Sequence, residues 1–455
     1  MQLVVPRPDR AYLTDMLWLP RRLIQEASVK VALQYYSVDK KTKTTRIERL
    51  WEATDSHLIV PREFFPPEHY PSFPFPFVDL TPKDFPQTNM ASRVTLLPEK
   101  NQPAAYAAFS KAPGGVLNLA PGRGKTVLAC KRIGDTRLPT LIVVPNTYLL
   151  EQWQEQIEKF LEFPPREKLG VIQQQRFEWQ QPVVLAMIET LALRAAAGKI
   201  PPAFSRYFGQ VIFDETHHLS AQFFLTTAPL VLGQRFGLTA TPDRNDGLEH
   251  LYQYHLGPVF YSDMTPGIMV DVYFQQTPCW INLNSPEVRD RTGELHLGKL
   301  CNALAKVPDA VSFRESCIRE ALQAGRKVLC INRNKALLTE LATRFSDACL
   351  LVAETPQEER TRLVRKSRVV FAISQLGLEG LDDDTIDAAF VLTPVKDQVS
   401  LIQFLGRLQR TREGKKTPII VFFDDIKIPP LSSMCHQARK ALQEKGYGYR
   451  TLAVP

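Results

Sequence analysis

The chain has 455 residues, of which 44% are hydrophobic, 23% charged and 9% aromatic. This composition is that of an ordinary globular protein, which excludes a mainly disordered, coiled-coil or collagen-like architecture. At roughly 150 residues per domain, the length predicts about three domains. No apolar run reaches the roughly 18 residues of a membrane-spanning helix, and the first residues lack a signal-peptide pattern, so we expect a cytoplasmic protein with no membrane partner.

The charge balance is modestly positive. Lys and Arg number 56 against 48 Asp and Glu, which gives +8. The balance is +1 for residues 1–92, +2 for 93–265 and +5 for 266–455. Such an excess permits a nucleic-acid partner without proving one. The seven cysteines form no Cys-x-x-Cys pair, which is typical of reduced thiols rather than of a disulfide framework or a zinc cluster.

The first 91 residues predict a small, mostly β accessory domain. Strand character appears in 29–38 and 56–61, and the basic KKTKTTR (40–46) between them suits a hairpin or loop. Eight prolines from Pro61 to Pro86 exclude a helix or a central strand in that stretch. Because aromatic residues are interleaved with these prolines, we expect the stretch to pack against something; a ligand for proline-binding domains is the alternative.

From about residue 92, short apolar runs alternate with helical stretches. Continuous apolar runs bounded by turns predict parallel strands that are buried on both faces, and hence α/β lobes. Two such lobes are expected, at 92–270 and 271–455. The runs that define them are VLNLA (116–120), TLIVVP (140–145), PVVLAM (182–187), QVIFDE (210–215), RFGLTA (235–240), RKVLCIN (326–332), CLLVA (349–353), RVVFAIS (368–374), AAFVLTP (388–394) and PIIVFFD (418–424).

The strongest local motif is LAPGRGKT (119–126), between an apolar strand and a helical segment. A glycine-bearing loop at a helix N-terminus points backbone N–H groups at phosphate, and Gly122 and Gly124 permit close backbone approach. The Lys125 ammonium would reach the β- and γ-phosphates, and the Thr126 hydroxyl would ligate Mg²⁺. Leucine replaces the first glycine of the GxxxxGK[ST] pattern, so this is a shorter variant of that loop. A chance glycine turn with a surface lysine is the alternative.

Two adjacent acids, Asp214 and Glu215, end the apolar strand in VIFDETHHLSA (211–221), 89 residues after Lys125. One carboxylate can hold Mg²⁺, and a neighbouring glutamate can orient or deprotonate an attacking water. A solvated strand cap is the alternative for such a pair.

Two later segments carry groups that suit the same chemistry. Thr239 and Thr241 end the strand in GLTATPDRNDG and can hydrogen-bond the carboxylates. Arg407 and Arg410 in QFLGRLQR (403–410) lie at i and i+3 on one helix face, where two guanidinium groups can stabilise charge on a transferring phosphoryl group. A solvated basic face, or contacts to DNA phosphates, is the alternative for the arginines.

In this order the segments resemble a superfamily 2 helicase or translocase over about residues 92–430. The DExHxxxA form at 214–221 is similar to the branch that contains DNA-repair translocases and phage branch-migration helicases. The resemblance implies two tandem RecA-like P-loop motor lobes after an accessory domain at 1–91, and host cytoplasm as the location if the chain is phage-encoded. The matching segments are APGRGKT (120–126), VVPNTYLLEQW (143–153), AMIETL (186–191), DETH (214–217), TAT (239–241), VLCINRN (328–334), SQLGLEGLD (374–382) and QFLGRLQR (403–410).

The resemblance also implies the cofactors and the site residues. ATP and Mg²⁺ are expected in the cleft between the lobes. The residues implied at the nucleotide are Gln102, Pro121, Gly122, Arg123, Gly124, Lys125, Thr126, Gly380 and Asp382. Those implied in catalysis are Lys125, Asp214 and Glu215, with Arg407 and Arg410 as finger candidates and Thr126 and Asp214 as Mg²⁺ ligands. His217, Thr239 and Thr241 would couple the sites, and Thr147, Thr190, Asn332 and Ser374 would contact nucleic acid.

The implied function is an ATP-dependent DNA helicase or translocase that remodels forks or Holliday-type junctions in replication, recombination or repair. Its expected partners are branched or duplex DNA and replication or recombination proteins. The aromatic-rich segment of the accessory domain is a candidate junction wedge. Two alternatives stay open: an RNA helicase of the DExH type, and a nucleotide-switched nucleic-acid-binding protein without motor activity.

Overall fold

The computed structural model of the protein describes residues 6–38, 45–163, 167–216, 226–240, 249–265, 269–290, 292–352, 354–374, 377, 383, 385–395, 398–409 and 415–454. The chain divides into two compact units, Met1–Met264 and Thr265–Pro455. Residues 1–91 lie within the first unit, so the separate domain boundary at residue 91 stays a prediction.

The N-terminal region is rich in β-structure, as predicted. It contains β1 (Ala11–Leu13), β2 (Leu17–Pro20), α1 (Glu26–Ala32), β3 (Gln34–Val38), β4 (Thr45–Arg49), β5 (Glu52–Ala53), β6 (His57–Val60) and β7 (Phe77–Asp79). Five strands form a sheet in the order β5-β6-β2-β1-β7, and β3 and β4 pair as a hairpin of their own. The fully buried Leu17, Leu19 and Leu58 form its core, together with Leu251 from a later helix of the same unit.

The proline-rich stretch forms a 3₁₀ helix, Pro67–Ser72, and the edge strand β7, so the exclusion of a regular helix and a central strand is confirmed. Its aromatic rings pack on one another and on a later helix of the same unit. The ring centroids of Tyr70 and Phe77 are 4.4 Å apart, and those of Phe64 and Tyr254, which belongs to that helix, are 5.1 Å apart. The expectation that this stretch packs is therefore confirmed. These rings are at least partly buried, and their role as a junction wedge stays a prediction.

The first unit continues with a large sheet in the order β13-β12-β14-β10-β15-β16-β9-β17, in which only the β12–β13 pair is antiparallel. Strands β9, β10 and β15 are buried throughout, because layers cover both faces of the sheet. The strands from the end of the N-terminal region onward are β8 (Ala91–Ser92), β9 (Gly115–Leu119), β10 (Thr140–Val144), β11 (Leu161–Glu162), β12 (Gly170–Gln173), β13 (Arg176–Phe177), β14 (Val183–Met187), β15 (Gln210–Asp214), β16 (Gln234–Thr239) and β17 (Val259–Asp263).

Helices cover this sheet on both sides. Alternate strand residues enter two different cores, since Leu117 and Ile142 belong to one and Val116 and Leu141 to the other. The helices are α2 (Gln102–Lys111), α3 (Lys125–Thr136), α4 (Thr147–Phe160), α5 (Ile188–Ala196), α6 (Phe204–Tyr207) and α7 (Glu249–Leu256).

The second unit contains a parallel sheet in the order β20-β21-β19-β22-β23-β18-β24. Its strands are β18 (Asp271–Gln276), β19 (Val328–Asn332), β20 (Ala348–Leu351), β21 (Val369–Ile373), β22 (Ala388–Val391), β23 (Ile419–Asp424) and β24 (Tyr449–Leu452). Its helices are α8 (Leu297–Leu304), α9 (Pro308–Gln323), α10 (Lys335–Ala342), α11 (Gln357–Lys366), α12 (Gln398–Leu408) and α13 (Pro429–Glu444). A fully buried ion pair of 2.8 Å joins Arg314 of α9 to Asp425, just after β23.

Two α/β units with parallel sheets and a preceding β-rich region confirm the predicted fold class. No helix in the described part of the chain combines the length and the apolar character that crossing a bilayer requires.

Candidate nucleotide-binding site

Three neighbouring strands of the first unit end at the sequence motifs. The sheet order places β15, β16 and β9 side by side and parallel. Their carboxyl ends therefore lie at one edge of the sheet, where open α/β sheets bind ligands. Asp214 ends β15, Thr239 ends β16, and the glycine loop follows Leu119 at the end of β9.

The glycine loop has the backbone geometry that phosphate binding requires. Gly122 and Gly124 have φ of 78° and 92°, in the left-handed region that favours glycine. Gly124 directly precedes Lys125, the first residue of the twelve-residue helix α3. The first N–H groups of this helix have no partner within the helix and so can point at an anion. The half-buried Thr126 follows in the first turn.

Gln102 fixes this loop from the side. Its side chain is 2% exposed, its Nε2 donates to the Arg123 carbonyl at 3.0 Å, and its Oε1 accepts from the Leu97 N–H at 2.9 Å. A Cβ added at Gly124 would lie 2.4 Å from Gln102 Nε2. Gln102 therefore positions the loop backbone, and its own contact with the nucleotide stays a prediction.

For the remaining loop residues, Pro121, Arg123 and Lys125, the contacts with the nucleotide stay predictions. Pro121 is half-buried at the start of the loop. Arg123 is buried, and its Nη1 lies 3.5 Å from the Glu99 carbonyl, so its guanidinium is directed at the segment before α2. The Lys125 ammonium donates to the Leu119 carbonyl at 3.1 Å, which holds it at the end of β9.

The Asp214 carboxylate is buried and held by two donors. Trp153 Nε1 of α4 donates to its Oδ2 at 2.7 Å, and the Glu215 N–H donates to its Oδ1 at 2.9 Å. Burial, followed by the charge of Glu215, raises the pKa of Asp214 to about 6, while the Trp153 hydrogen bond and the positive charge of Lys125 oppose the rise. Lys125 is thus close enough to act on this carboxylate electrostatically.

Glu215 adopts a left-handed backbone conformation with φ of 47°, an uncommon value for a residue with a side chain. Such conformations cluster at functional sites, because the surrounding structure must hold them. Thr239 is fully buried at the end of β16. The residue before it, Leu238, pairs with Asp214 of the neighbouring strand β15, so Thr239 lies close to the acid pair. His217 and Thr241, the other predicted coupling residues, lie outside the described residues.

In the second unit, Arg407 is half-buried near the C-terminus of α12. The second finger candidate, Arg410, lies outside the described residues, as do Gly380 and Asp382. These assignments therefore stay predictions.

A turn of the β12–β13 hairpin links Thr147 and Thr190, the two nucleic-acid contacts predicted in the first unit. Gln173 Nε2 donates to Thr147 Oγ1 at 3.3 Å, and the Gln174 N–H donates to Thr190 Oγ1 at 3.1 Å. Arg194 donates to the carbonyls of Gln174 and its neighbour, both at 3.1 Å. Both hydroxyls keep a proton to donate, so the geometry permits phosphate contacts.

The structure does not support the predicted contact between the Asn332 side chain and nucleic acid. This side chain is fully buried, its Nδ2 donates to the Asn334 carbonyl at 2.9 Å, and its Oδ1 accepts from Thr393. The prediction is wrong for this side chain, because its polar groups are used inside the fold. Ser374 is half-buried just after β21, and its role stays a prediction.

Sequence reasoning missed Trp153 and the Gln173–Gln174 turn. Trp153 belongs to the segment that resembles a helicase motif, but the motif does not say which side chain meets Asp214. A buried indole N–H needs a hydrogen-bond acceptor, and this requirement is the signal in the sequence that could have indicated a polar partner for Trp153. The turn lies between two motifs and carries no signature of its own.

Residues 87–244 match the family model of the type III restriction enzyme res subunit. The DNA 3'-5' translocase XPB2 of Sulfurisphaera tokodaii is 27% identical over 357 residues, which cover 69% of this chain and 78% of that protein. L396 of Acanthamoeba polyphaga mimivirus, named as an ATP-dependent RNA helicase, is 23% identical over 376 residues, which cover 80% of this chain and 70% of that protein.

Among solved structures, the ATP-dependent Type ISP restriction-modification enzyme LlaBIII bound to DNA has the same fold. The TM-score is 0.57 at 15% identity, with 80% of this chain and 32% of that chain covered. This chain thus spans about a third of the length of LlaBIII. The chain is thus similar in sequence to proteins named as a DNA translocase and an RNA helicase, and it shares its fold with LlaBIII.

Proposed function

We propose that this protein is an ATP-dependent DNA helicase or translocase. The observation that carries the proposal is the cluster of glycine loop, Lys125 and the buried Asp214 at one edge of the first sheet. A loop of backbone N–H groups and an ammonium suit a triphosphate, and a paired acid suits a hydrolytic reaction.

The donor set fits a divalent cation. The Thr126 hydroxyl and the Asp214 carboxylate are oxygen ligands, which Mg²⁺ prefers. Bound there, Mg²⁺ would neutralise charge on the phosphate oxygens. Lys125 would hold the β- and γ-phosphates, and Glu215 would orient the attacking water and accept its proton as the water oxygen bonds to the γ-phosphorus and ADP leaves. Arg407 and Arg410 are proposed to stabilise the charge on the transferring group.

The proposed DNA track of the first unit includes Thr147 and Thr190. Small hydroxyl side chains bind phosphate without reading sequence, which a motor that moves along any strand needs. XPB2, by its name, acts on DNA, and this supports DNA over RNA. L396, named as an RNA helicase, keeps RNA as the second candidate.

The finer role is also a proposal. We propose that the β-rich region at 6–91 recognises branched DNA, so that the protein remodels forks or junctions in replication, recombination or repair. Replication or recombination proteins are the proposed partners. The alternative without motor activity is disfavoured, since Lys125, Asp214 and Glu215 are all retained.

The test is strand displacement from matched forked substrates made of DNA and of RNA. We expect ATP-dependent displacement from the DNA fork and none with Lys125→Ala, which serves as the control. Displacement from the RNA fork alone would favour the RNA helicase. Nucleotide binding without phosphate release would favour the non-motor protein.

A further inference from the structure

The β3–β4 hairpin carries the most exposed aromatic side chain of the described N-terminal region. Tyr36 is 71% exposed and stands directly opposite Ile47, which is 58% exposed. Since side chains alternate along a strand, the exposed Gln34 and Arg49 lie on the same outward face. Tyr35 points to the other face and is buried in the core. The hairpin therefore presents an apolar pair to solvent beside a cation.

Several other aromatic residues of this region already have aromatic or cationic partners. The rings between Phe64 and Phe77 stack on one another, and Trp51 is contacted by two cations. Lys30 Nζ lies 4.3 Å and the Arg49 guanidinium 5.4 Å from the Trp51 ring centroid. Trp51 thus holds Lys30 and Arg49 at the base of the hairpin, while the Tyr36 ring stays available.

Positive charge is concentrated on this same segment. Residues 30–49 contain six basic and two acidic residues, a balance of +4, whereas residues 1–92 together reach only +1. The rest of the region is therefore net acidic, at −3. Three of the six basic residues, Lys40, Lys41 and Lys43, belong to the sequence that connects the two strands.

We propose that the outward face of the β3–β4 hairpin binds a DNA strand at a fork, with an unpaired base stacked on Tyr36 and Ile47 and a neighbouring phosphate held by Arg49. This inference rests on the proposed function and names the element that would recognise the branch. Single-stranded nucleic acid binds in this way, on an aromatic side chain within a positively charged surface. Arg49 lies two residues from Ile47 on the same face, about 7 Å along the strand, within reach of an adjacent phosphate.

The positive charge of the hairpin segment favours DNA over a protein as the molecule that binds this surface. An apolar pair without surrounding charge would suit a second copy of the chain or another protein. The +4 balance of residues 30–49 would oppose self-association of two such hairpins and attract a polyanion.

The test measures fork binding by the full-length Tyr36→Ala variant. A fork with 2-aminopurine at the first unpaired position reports stacking by fluorescence quenching, and anisotropy gives the affinity. Because stacking on an aromatic ring contributes about 1–3 kcal/mol per base, Tyr36→Ala should lose between about fivefold and about 150-fold in fork affinity, together with the quenching. Tyr36→Phe should keep both. An Arg49→Gln variant should weaken binding with a smaller salt dependence.

Trp280→Ala is the matched control, since Trp280 is a 63% exposed aromatic residue of the second unit. It should leave fork affinity unchanged, and ATP hydrolysis without DNA should be the same in every variant. Wild-type fork affinity in Tyr36→Ala, or a dimer that this substitution dissociates without an effect on DNA binding, would overturn the inference. A wild-type protein whose ATPase no DNA stimulates would instead contradict the proposed function itself.

Discussion

Three side chains of the first unit divide the proposed chemistry. Lys125 is held at the end of β9, Asp214 is buried between two donors, and Glu215 follows it in a left-handed conformation. A change at one of these residues should therefore remove one function and leave the fold intact.

Glu215→Gln keeps the shape of the side chain and removes the group that accepts the proton. General-base catalysis contributes about 10²- to 10⁴-fold, so ATP hydrolysis should fall by at least about 100-fold, with nucleotide affinity retained. Phosphate release and titration with a fluorescent ATP analogue measure the two effects. Lys125→Ala should lose nucleotide affinity as well. Hydrolysis retained in both variants would refute the assignment of the site.

Trp153→Phe removes the indole N–H that Asp214 accepts. A buried acceptor left without its donor costs about 1–3 kcal/mol, so the free energy of unfolding should fall by that amount and ATP hydrolysis should slow. Urea denaturation and phosphate release test this. Trp179→Phe is the control, because Trp179 packs on Phe204 and Tyr207 away from the acid pair. Equal effects of the two substitutions would contradict a specific role for Trp153.

Among single residues, the sequence predicts those site residues that belong to a contiguous motif. Lys125 and Asp214 belong to contiguous motifs, and the structure brings them to one edge of the sheet. Trp153 could not be assigned, because its partner lies 61 residues away in sequence. Asn332 was misjudged, since an asparagine at the end of an apolar strand suits an internal hydrogen bond as well as a phosphate contact.

Among the elements, the glycine loop depends on its contact with α2. Gly124→Ala should both strain a backbone with φ of 92° and force the new Cβ against Gln102 Nε2. Strain of this kind costs about 1–3 kcal/mol, and we expect ATP affinity to fall accordingly. Gly198→Ala is the control, because Gly198 also has a positive φ, of 63°, with nothing within 4 Å of the added Cβ. Binding by Gly124→Ala at the wild-type level would show that the loop has another support.

Helix α7 carries a buried histidine, His255. His255 is 1% exposed, and neither ring nitrogen has a hydrogen-bond partner within the described part of the chain. Burial, and then the charge of Arg235, lower the pKa of His255 to about 3. The unfolded chain binds a proton near pH 6.5, so the unfolded state takes up more protons than the folded state between pH 6.5 and pH 3. His255 therefore makes the protein less stable as pH falls through this window.

His255→Leu should flatten this pH dependence. Between pH 7.5 and 5.5 the wild-type protein should lose about 1.4 kcal/mol of unfolding free energy through His255, and the variant should not. Urea denaturation at the two pH values measures the difference. The exposed His436 provides the control substitution. The same loss in His255→Leu as in wild type would show that other groups cause the acid sensitivity.

On the scale of the whole molecule, the two mainly parallel sheets follow from the sequence because their central strands are short apolar runs buried on both faces. The N-terminal region was less predictable. Its aromatic segment is a candidate wedge by sequence, and its rings stack on one another, whereas the most exposed aromatic side chain among the described residues of this region is Tyr36 on a hairpin. Composition shows how many rings a segment has, whereas tertiary packing decides which of them remain available.

The charge of the whole chain bears on how it would hold DNA. The +8 excess is small for 455 residues, and residues 266–455 carry +5 of it. A motor must bind phosphates and release them in every cycle, and moderate charge allows both. Binding to DNA should therefore weaken steeply with salt, because phosphate contacts release counterions.

The most direct test of the proposed motor is steady-state phosphate release as single-stranded DNA is added at low salt. We predict slow hydrolysis without DNA, a saturable increase with DNA, loss of that increase at high salt, and no hydrolysis by Glu215→Gln at any DNA concentration. A wild-type rate that neither single-stranded, forked nor duplex DNA changes would contradict the assignment of a DNA-driven motor.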